Sequence, residues 1–184
     1  MSRLGFVFDQ TRCIGCNACQ MACKDAHDLE RGVFFRRVQT LEYEKHGKVL
    51  TSAYSGSCNH CEKAACVDIC PTGAMHHTED GTVGHDRSKC IGCGSCTWAC
   101  PYGSVTLSQK QGCAVKCDSC RERRAEGKNP YCVDACLTHC LQFGDLEHLT
   151  KDSPREYADA LDILPDPAIT CPSLKIRKRV PLHE

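Results

Sequence analysis

The residues best suited to chemistry are cysteines, and they recur at a fixed spacing. Residues 12–24 read RCIGCNACQMACK and residues 89–101 read KCIGCGSCTWACP, so one C-x2-C-x2-C-x3-C pattern is written twice. Thiols only two or three residues apart cannot readily form disulfides with each other, whereas they can surround a metal or a metal cluster. The pattern therefore predicts metal ligation.

The composition also indicates that apolar packing alone is insufficient to stabilise the core of this chain. It has 184 residues with five Phe, five Tyr and one Trp, but 19 Cys. A small protein so poor in large apolar side chains usually depends on disulfides or metal. Disulfides are disfavoured because the count is odd, the cysteines are clustered, and MSRLGFVFDQTRC has no secretory signal segment, so we expect no signal peptide on this chain.

Charge and hydropathy exclude two further classes of protein. Lys+Arg and Asp+Glu both number 23, and this formal neutrality gives no support to nucleic-acid binding. No apolar run approaches the length of a membrane-spanning helix. We therefore expect no direct membrane span and no nucleic-acid partner.

Sixteen of the cysteines form four sets that each begin with C-x2-C and end with C-x3-C. The first set is Cys13, Cys16, Cys19 and Cys23; the second is Cys58, Cys61, Cys66 and Cys70; the third is Cys90, Cys93, Cys96 and Cys100; and the fourth is Cys117, Cys120, Cys132 and Cys136. Cys113, Cys140 and Cys171 are left over, and we expect them to be small buried apolar residues; Cys140 should lie beside a cluster, with a ligand role as its alternative.

Short β-prone runs ending in aspartate precede the first and third sets, at residues 6–9 and 83–86. Good helix formers or a proline follow the sets, at Lys24, Pro71 and Pro101. The repeated unit is therefore predicted to be a strand, a cysteine loop and then a short helix.

Three further elements are predicted outside the cysteine loops. Residues 31–57 should form a hairpin with its turn at 45–48. A capping pattern at Ser153–Glu156 predicts a helix that runs to about Leu164 and is ended by the prolines at 165 and 167. Residues 174–180 alternate apolar and basic side chains, which favours either an edge strand or a tail lying on a partner.

The spacing distinguishes iron–sulfur clusters from zinc. A structural zinc site uses two separated cysteine pairs, which only the fourth set could imitate, so a zinc-binding interaction module is the remote alternative. Three thiolates at two-residue spacing and a fourth three residues later are the ligand run of bacterial [4Fe-4S] ferredoxins, in which the last cysteine binds the other cluster. The sets should therefore occur in pairs that exchange their last cysteine.

Residues between the ligands fit the same role. Gly15 and Gly92 allow positive φ, so that backbone N–H groups can face cluster sulfurs. Ile14 and Ile91 should pack against a cluster, and Trp98 should pack over one. The basic residues of the long insertion in the fourth set, Arg121, Arg123, Arg124 and Lys128, form either a solvated helix face or a docking surface.

From residue 1 to about 145, the four sets in this order resemble the four-cluster iron–sulfur subunit of the dimethyl sulfoxide reductase family of molybdopterin oxidoreductases. The resemblance implies four [4Fe-4S] clusters, with the first set paired to the fourth and the second to the third. The implied ligand sets are Cys13, Cys16, Cys19 and Cys136; Cys117, Cys120, Cys132 and Cys23; Cys58, Cys61, Cys66 and Cys100; and Cys90, Cys93, Cys96 and Cys70. Leu137 and Cys140 depart from the family pattern, which has a proline and a small residue there.

The resemblance implies an α+β, ferredoxin-like fold of two nested two-cluster modules. Residues 1–50 with 110–150 would form the outer module, 51–109 the inner one, and 151–184 a C-terminal helix and tail. The implied role is non-catalytic electron transfer in anaerobic respiration, between an integral membrane quinol-oxidising anchor and a molybdopterin-containing catalytic subunit. A polysulfide or thiosulfate reductase, a catechol dehydroxylase or a formate dehydrogenase are alternative complexes. The chain would be membrane-associated through its partners, on the cytoplasmic face or exported with a signal-bearing partner.

Overall fold

The computed structural model describes residues 3–45, 47–152 and 156–179, without the side chain of residue 45. Most of its elements are short, and the longest are the two strands of one hairpin. In chain order they are β1 (Leu4–Asp9), α1 (Ala18–Ala26), β2 (Arg36–Lys45), β3 (Lys48–Ser57), α2 (Ala65–Asp68), β4 (Met75–His77), β5 (Val83–His85), a 3-10 turn (Arg87–Lys89), α3 (Ser95–Ala99), β6 (Val105–Ser108), β7 (Cys113–Lys116), α4 (Arg121–Ala125), α5 (Tyr131–Asp134), β8 (Leu141–Asp145), α6 (Leu146–Thr150), β9 (Tyr157–Ala158), α7 (Pro167–Thr170) and β10 (Leu174–Arg177).

The largest sheet has four strands in the order β8-β1-β10-β9. Strand β1 is antiparallel to β8 and parallel to β10, and β9 is antiparallel to β10. Its buried side chains include Phe6, Phe8, Leu141, Leu174 and Ile176. The other strands form three hairpins, β2–β3, β4–β5 and β6–β7.

The predicted strands before the first and third cysteine sets are confirmed as β1 and β5. An aspartate at the end of each strand caps the next turn: Asp9, the last residue of β1, accepts a hydrogen bond from the amide of Thr11 at 2.9 Å, and Asp86, just after β5, accepts one from the amide of Ser88 at 2.9 Å. The predicted hairpin is confirmed as β2–β3, but its first strand begins at Arg36, after the apolar run at 33–35.

The short helices of the cysteine repeats begin within the sets, which corrects the predicted order of strand, loop and then helix, although α1 continues past Cys23 to Ala26. Helix α1 contains Cys19 and Cys23, and α3 ends at the residue before Cys100. Pro71 and Pro101 begin turns that lead into β4 and β6. A residue before proline is driven out of the helical region, and Cys100 is accordingly extended, with φ −75° and ψ 110°.

The predicted helix from Ser153 to about Leu164 is wrong over residues 156–164, and its first three residues lie outside the described part of the chain. Residues 157–158 form β9 and turns follow. The true helix start is Asp166, whose carboxylate accepts a hydrogen bond from the amide of Ala168 at 2.9 Å, with Pro167 in the first helical position. The prolines at 165 and 167, predicted to end a helix, therefore flank the start of one.

The alternating C-terminal segment forms an interior strand, so the expectation of an edge strand or a tail is wrong. Strand β10 lies between β1 and β9, with Leu174 and Ile176 buried. Lys175 points away from this core and pairs with Asp159 at 2.6 Å. The alternation therefore reflects one buried and one solvated face.

The core is divided into two groups of buried side chains, and cysteines are prominent in both. The larger contains Phe6, Phe8 and Tyr54 together with seven buried cysteines. The smaller contains Met75, Val83 and smaller residues, with six cysteines in it or packed against it. Thiols therefore occupy core positions that apolar side chains fill in most proteins of this size.

Candidate metal centres

All nineteen cysteines are free thiols, so the core is not held together by disulfides. In the fourth set all four members are buried, whereas the first and third sets each contain one exposed member, Cys16 and Cys93. The sixteen predicted ligands lie in four groups, and each group combines three members of one set with one member of another.

The first group lines a cavity of about 290 Å³ beside β3 and β8. Its thiols are Cys13, Cys16 and Cys19 from the first set and Cys136 from the fourth. Helix α1 carries Cys19, and Cys136 follows α5, which packs against α1. The packing of these two helices therefore brings the end of the fourth set to the start of the first.

The second and third sets exchange their last cysteines in the same way. One cavity of about 350 Å³ is lined by the thiols Cys58, Cys61, Cys66 and Cys100. Another of about 320 Å³ is lined by Cys90, Cys93, Cys96 and Cys70. Helices α2 and α3 pack together between the two cavities, and the three cavities are similar in volume.

The remaining thiols, Cys23, Cys117, Cys120 and Cys132, lie close enough together to influence each other's charge. Burial, together with the charges of the neighbouring Cys132 and Cys120, raises the pKa of Cys23 to about 12. Burial and then the charges of Cys58, Cys23 and Cys132 raise the pKa of Cys117 well above its usual value. Iron binds the thiolate form, so occupation of this group must release protons from the thiols.

Burial also raises the pKa of other thiols. It raises the pKa of Cys66 to about 12 and that of Cys61 to about 11. Buried thiols without a metal are therefore neutral at pH 7, and four adjacent thiolates require a positively charged centre among them.

The loops that carry the first and third sets share two left-handed positions. Gly15 and Gly92 both have φ of 69°, which confirms the positive φ predicted for these glycines. A side chain at Gly92 would place its Cβ 2.5 Å from the carbonyl oxygen of Gly112, so only glycine fits. The second position, Asn17 or Gly94, precedes the helix with φ of 62° or 76°, and it was not predicted from the sequence.

The apolar residues of these loops differ in how they meet the cavities. Ile14 and Ile91 line the first and third cavities, where they were predicted to pack, and each is 68% exposed. Trp98 is 90% exposed on α3, so the prediction that it packs over a cluster is wrong for the isolated chain. These side chains cover the outer rims of two cavities and leave apolar surface facing outward.

The three leftover cysteines differ from one another. Cys113 is buried in β7, as predicted. Cys140 is also buried, but it lines the first cavity, with its Sγ 3.4 Å from the Sγ of Cys136. Cys171 is only partly buried, so the prediction of a buried residue is wrong there.

The basic insertion of the fourth set is tied partly to the chain itself. Arg124 pairs with Asp80 at 2.9 Å, and the guanidinium of Arg123 lies 4.3 Å from the ring centre of Tyr131. Arg121 and Lys128 are exposed. Only part of this basic surface therefore remains available to a partner.

Three polar side chains near the thiols were not identified from the sequence. The Nε2 of His27 lies 3.4 Å from the Sγ of Cys120, and Arg36 and Lys116 are both buried. Each occurs outside the cysteine motifs or at their edge, and a basic residue in an alternating strand normally indicates the solvated face. The sequence pattern therefore contained no signal for the two buried cations.

Four groups of four thiols, carried on short strands and helices, define a ferredoxin-like protein of the dicluster type. Two family models, both described as "4Fe-4S dicluster domain", match residues 12–74 and 49–146. The cofactors are therefore four [4Fe-4S] clusters, and the zinc-binding alternative is wrong.

Curated relatives give the particular family. The sequence is 40% identical to the B subunit of the anaerobic dimethyl sulfoxide reductase of Escherichia coli K12, over 96% of this chain and 89% of that protein. It is 44% identical to the thiosulfate reductase electron transfer subunit PhsB of Salmonella typhi, over 76% and 74%. It is 37% identical to the formate dehydrogenase iron-sulfur subunit of Wolinella succinogenes, over 81% and 84%.

This chain therefore belongs to the family of iron–sulfur, electron-transfer subunits of molybdopterin oxidoreductases. In the part of the chain that the structure describes, no helix is long and apolar enough to cross a membrane.

Proposed function

We propose that this chain is a non-catalytic subunit that relays electrons between a membrane quinol-oxidising anchor and a molybdopterin-containing catalytic subunit. The relatives are named as parts of reductases and dehydrogenases, which supports a partner that performs the bond chemistry. The observation that carries the proposal is the succession of four thiol groups through one small chain. The clusters supply one-electron redox centres, and the chain's own residues hold and insulate them.

The proposed ligand sets follow the four groups of neighbouring thiols. Cys136 completes the first set, Cys23 the fourth, Cys100 the second and Cys70 the third. We call the first and fourth sets the outer pair, and the second and third sets the inner pair. In this proposal residues 1–50 with 110–150 form the outer module, and residues 51–109 form the nested inner module.

The order of transfer is proposed to be first, fourth, second and third. Cys58 of the second set is the thiol whose charge acts most strongly on Cys117 of the fourth, which supports the central junction. Cys19 of the first set is influenced by Cys132 of the fourth, which supports the junction within the outer pair. The first and third groups then lie at the two ends.

Exposed apolar side chains at these two ends support contacts with two partners. Ile14 lines the first cavity and is 68% exposed, while Leu137, next to Cys136 in the chain, is 70% exposed. Ile91 lines the third cavity and Trp98 lies nearby on α3, at 68% and 90% exposed. The first group would face the catalytic subunit, and the third would face the quinol site.

A variant at the far end tests this order in the assembled complex. Cys93→Ser should abolish quinol oxidation, while an artificial donor that feeds the first group still drives the catalytic subunit. Cys113→Ser, in a buried cysteine outside the four groups, is the matched control and should leave both activities intact. A Cys93 variant that has lost its cluster and still oxidises quinol at the normal rate would refute the order.

The substrate of the complex has several candidates. Relatives named for dimethyl sulfoxide and thiosulfate reductases match at similar identity, 40% and 44%. A dimethyl sulfoxide reductase partner is proposed first because that relative covers 96% of this chain. Steady-state turnover of the purified complex with dimethyl sulfoxide, thiosulfate, polysulfide and formate distinguishes these partners.

A further inference from the structure

The side chain of Arg36 is buried without any acidic partner. It begins strand β2, is 2% exposed, and is the largest of the fully buried side chains. Among the residues that the structure describes, no carboxylate lies within ion-pairing distance of it. A guanidinium is always charged in proteins, and an uncompensated buried charge is strongly destabilising. Arg36 therefore requires a negative group other than a carboxylate.

The contacts of the guanidinium leave part of it unsatisfied. Its Nη1 donates to the carbonyl oxygen of Ser55 at 2.9 Å and to the Oγ of Ser55 at 3.1 Å, and its Nη2 donates to the Oγ of Ser57 at 3.0 Å. One face lies 4.5 Å from the ring centre of Phe6. Its Nε is buried with no hydrogen-bond partner. All of these partners are neutral, so none of them balances the charge.

Cysteines of both sets of the outer pair share a buried cluster with Phe6, the ring on which Arg36 packs. This cluster contains Cys19 and Cys23 of the first set and Cys117 and Cys132 of the fourth. Burial would lower the pKa of Arg36, but the charges of neighbouring thiolates outweigh burial and raise this pKa. The guanidinium thus lies where the proposed ligands of two different clusters converge.

A serine links Arg36 directly to one of these thiols. The guanidinium has only donors, so the Oγ of Ser55 accepts from Nη1 and keeps its own hydrogen free. That hydroxyl lies 3.3 Å from the Sγ of Cys19. The hydroxyl of Ser55 therefore connects the guanidinium of Arg36 to Cys19, a proposed ligand of the first cluster.

We propose that Arg36 is the internal counter-ion of the outer pair, and that its fixed charge raises the reduction potentials of both clusters of this pair. The inference rests on the ligand sets proposed above. A thiolate-ligated cluster gains one negative charge when it accepts an electron from the quinol-oxidising partner or from dithionite, and no bond to the chain changes. A cation held in a dry site stabilises the reduced form more than the oxidised form.

The adjacent residue provides a matched control. Arg37 follows Arg36 in β2 but points to the opposite, exposed side of the strand. Arg36→Gln removes the buried charge, Arg36→Lys retains a charge there, and Arg37→Gln removes an equal charge from the surface. The three variants differ little in size and change the same segment.

Redox titrations of the full complex, followed by EPR, measure the effect. Signals are assigned beforehand with Cys16→Ser for the first cluster and Cys120→Ser for the fourth. We expect Arg36→Gln to lower the one-electron reduction constants of both outer clusters at least about tenfold, which is about 59 mV. The inner clusters should shift much less, and Arg37→Gln and Arg36→Lys should remain near the unmodified protein.

Each outcome decides the question. If Arg36→Gln retains all four clusters and their potentials are unchanged, the counter-ion role is wrong. If Arg36→Gln loses the outer clusters and Arg36→Lys retains them, the positive charge is required for cluster assembly and the counter-ion role is supported. If both variants lose the outer clusters, Arg36 acts through its shape and the proposal fails. Iron and EPR analysis of the unmodified complex separates this from the proposed function, which fails if four clusters are not found there.

Discussion

In both the outer and the inner pair of thiol sets, the last cysteine of one set lies beside the other set, but the two pairs are embedded in different cores. Around the outer pair lie Phe6, Phe8 and Tyr54, backed by the four-stranded sheet. Around the inner pair the buried residues are Met75, valines and alanines, with only two-stranded hairpins beside them. The apolar area available without iron is therefore much smaller for the inner pair.

The two pairs also differ in their exposure to solvent. Every thiol of the fourth set is buried, whereas in the third set only Cys96 is buried and Cys93 is exposed. A fully buried group such as that of the fourth set suits the interior of a relay, and a group with an exposed thiol, as in the first and third sets, suits the exchange of electrons with a partner. Copies of the same cysteine motif therefore differ in the burial of their thiols, which depends on the surrounding residues and not on the spacing of the cysteines.

Removal of iron should have the largest effect, and it should be unequal between the two pairs. Without clusters, the hairpin β4–β5 and helices α2 and α3 retain few apolar contacts, so we expect their amide-exchange protection to be lost completely. Strands β1, β8 and β10 should keep partial protection, because they share an aromatic core. Hydrogen exchange with mass spectrometry on the chelated protein measures this. A colourless sample, without the broad absorbance at about 400 nm, that kept native protection throughout would contradict it.

The fold could be predicted from the sequence where the structural signal is local, and not where it depends on distant parts of the chain. Local signals were sufficient where one residue determines the backbone: Gly15 and Gly92 have the positive φ predicted for them, and Asp9 and Asp86 end the predicted strands. They were insufficient for β10, because its place between β1 and β9 depends on distant pairing. Secondary structure that depends on neighbours far along the chain leaves little trace in local pattern.

Prediction of the candidate metal centres from the sequence was also limited to local signals. The sixteen thiols were recognisable from spacing alone, since the spacing is itself the chemical signal. Arg36 and Lys116 were not, because a cation in an alternating strand is normally exposed and only the negative centres beside it make burial tolerable. Trp98 was expected to pack over a cluster, and it is exposed at a surface proposed for a partner, which local sequence does not indicate.

Breaking the exchange of last cysteines should remove one cluster from each pair in turn. Cys23→Ser should remove the cluster whose other ligands are Cys117, Cys120 and Cys132, although Cys23 belongs to the first motif. Cys70→Ser should likewise remove the cluster of Cys90, Cys93 and Cys96. EPR and iron analysis should show the loss of about one cluster of four, with Cys113→Ser retaining the full complement. If Cys23→Ser instead abolishes the signal that depends on Cys16, each motif serves its own cluster.

The buried lysine tests whether the inner pair has its own counter-ion. The Nζ of Lys116 donates to the carbonyl oxygens of Val83 and of Cys117, the latter at 2.7 Å, and it is 5% exposed. Its charge opposes the rise that burial causes in the pKa of Cys66, a thiol of the second set. We expect Lys116→Met to lower the reduction constant of the second cluster about threefold, or roughly 30 mV. We expect a smaller effect than for Arg36 because Arg36 is linked through the hydroxyl of Ser55 to a ligand sulfur, whereas Lys116 donates to backbone carbonyls.

Lys110 supplies the control for this comparison, because its side chain is 63% exposed. Lys110→Met should leave all four potentials unchanged. A shift of the first cluster in Lys116→Met as large as that of the second would show that the two buried cations act on the whole chain and not on separate pairs. Redox titration followed by EPR, on the same preparations, provides both measurements.

The smallest expected effect concerns the cysteine sulfur that ends a set. At this sulfur the outer pair has a neighbouring thiol in addition to a backbone amide. Backbone amides donate to these sulfurs in both pairs: Ser104 N to Cys100 at 3.4 Å, and Cys140 N to Cys136 at 3.3 Å. Only Cys140 adds a thiol, whose Sγ lies 3.4 Å from that of Cys136. A thiol is a weak donor, so Cys140→Ala should lower the potential of the first cluster by only about 10–20 mV. Cys171→Ala, at a partly buried cysteine, should cause no shift. If Cys140→Ala instead removes the first cluster, Cys140 is a ligand and the exchange of Cys136 is wrong.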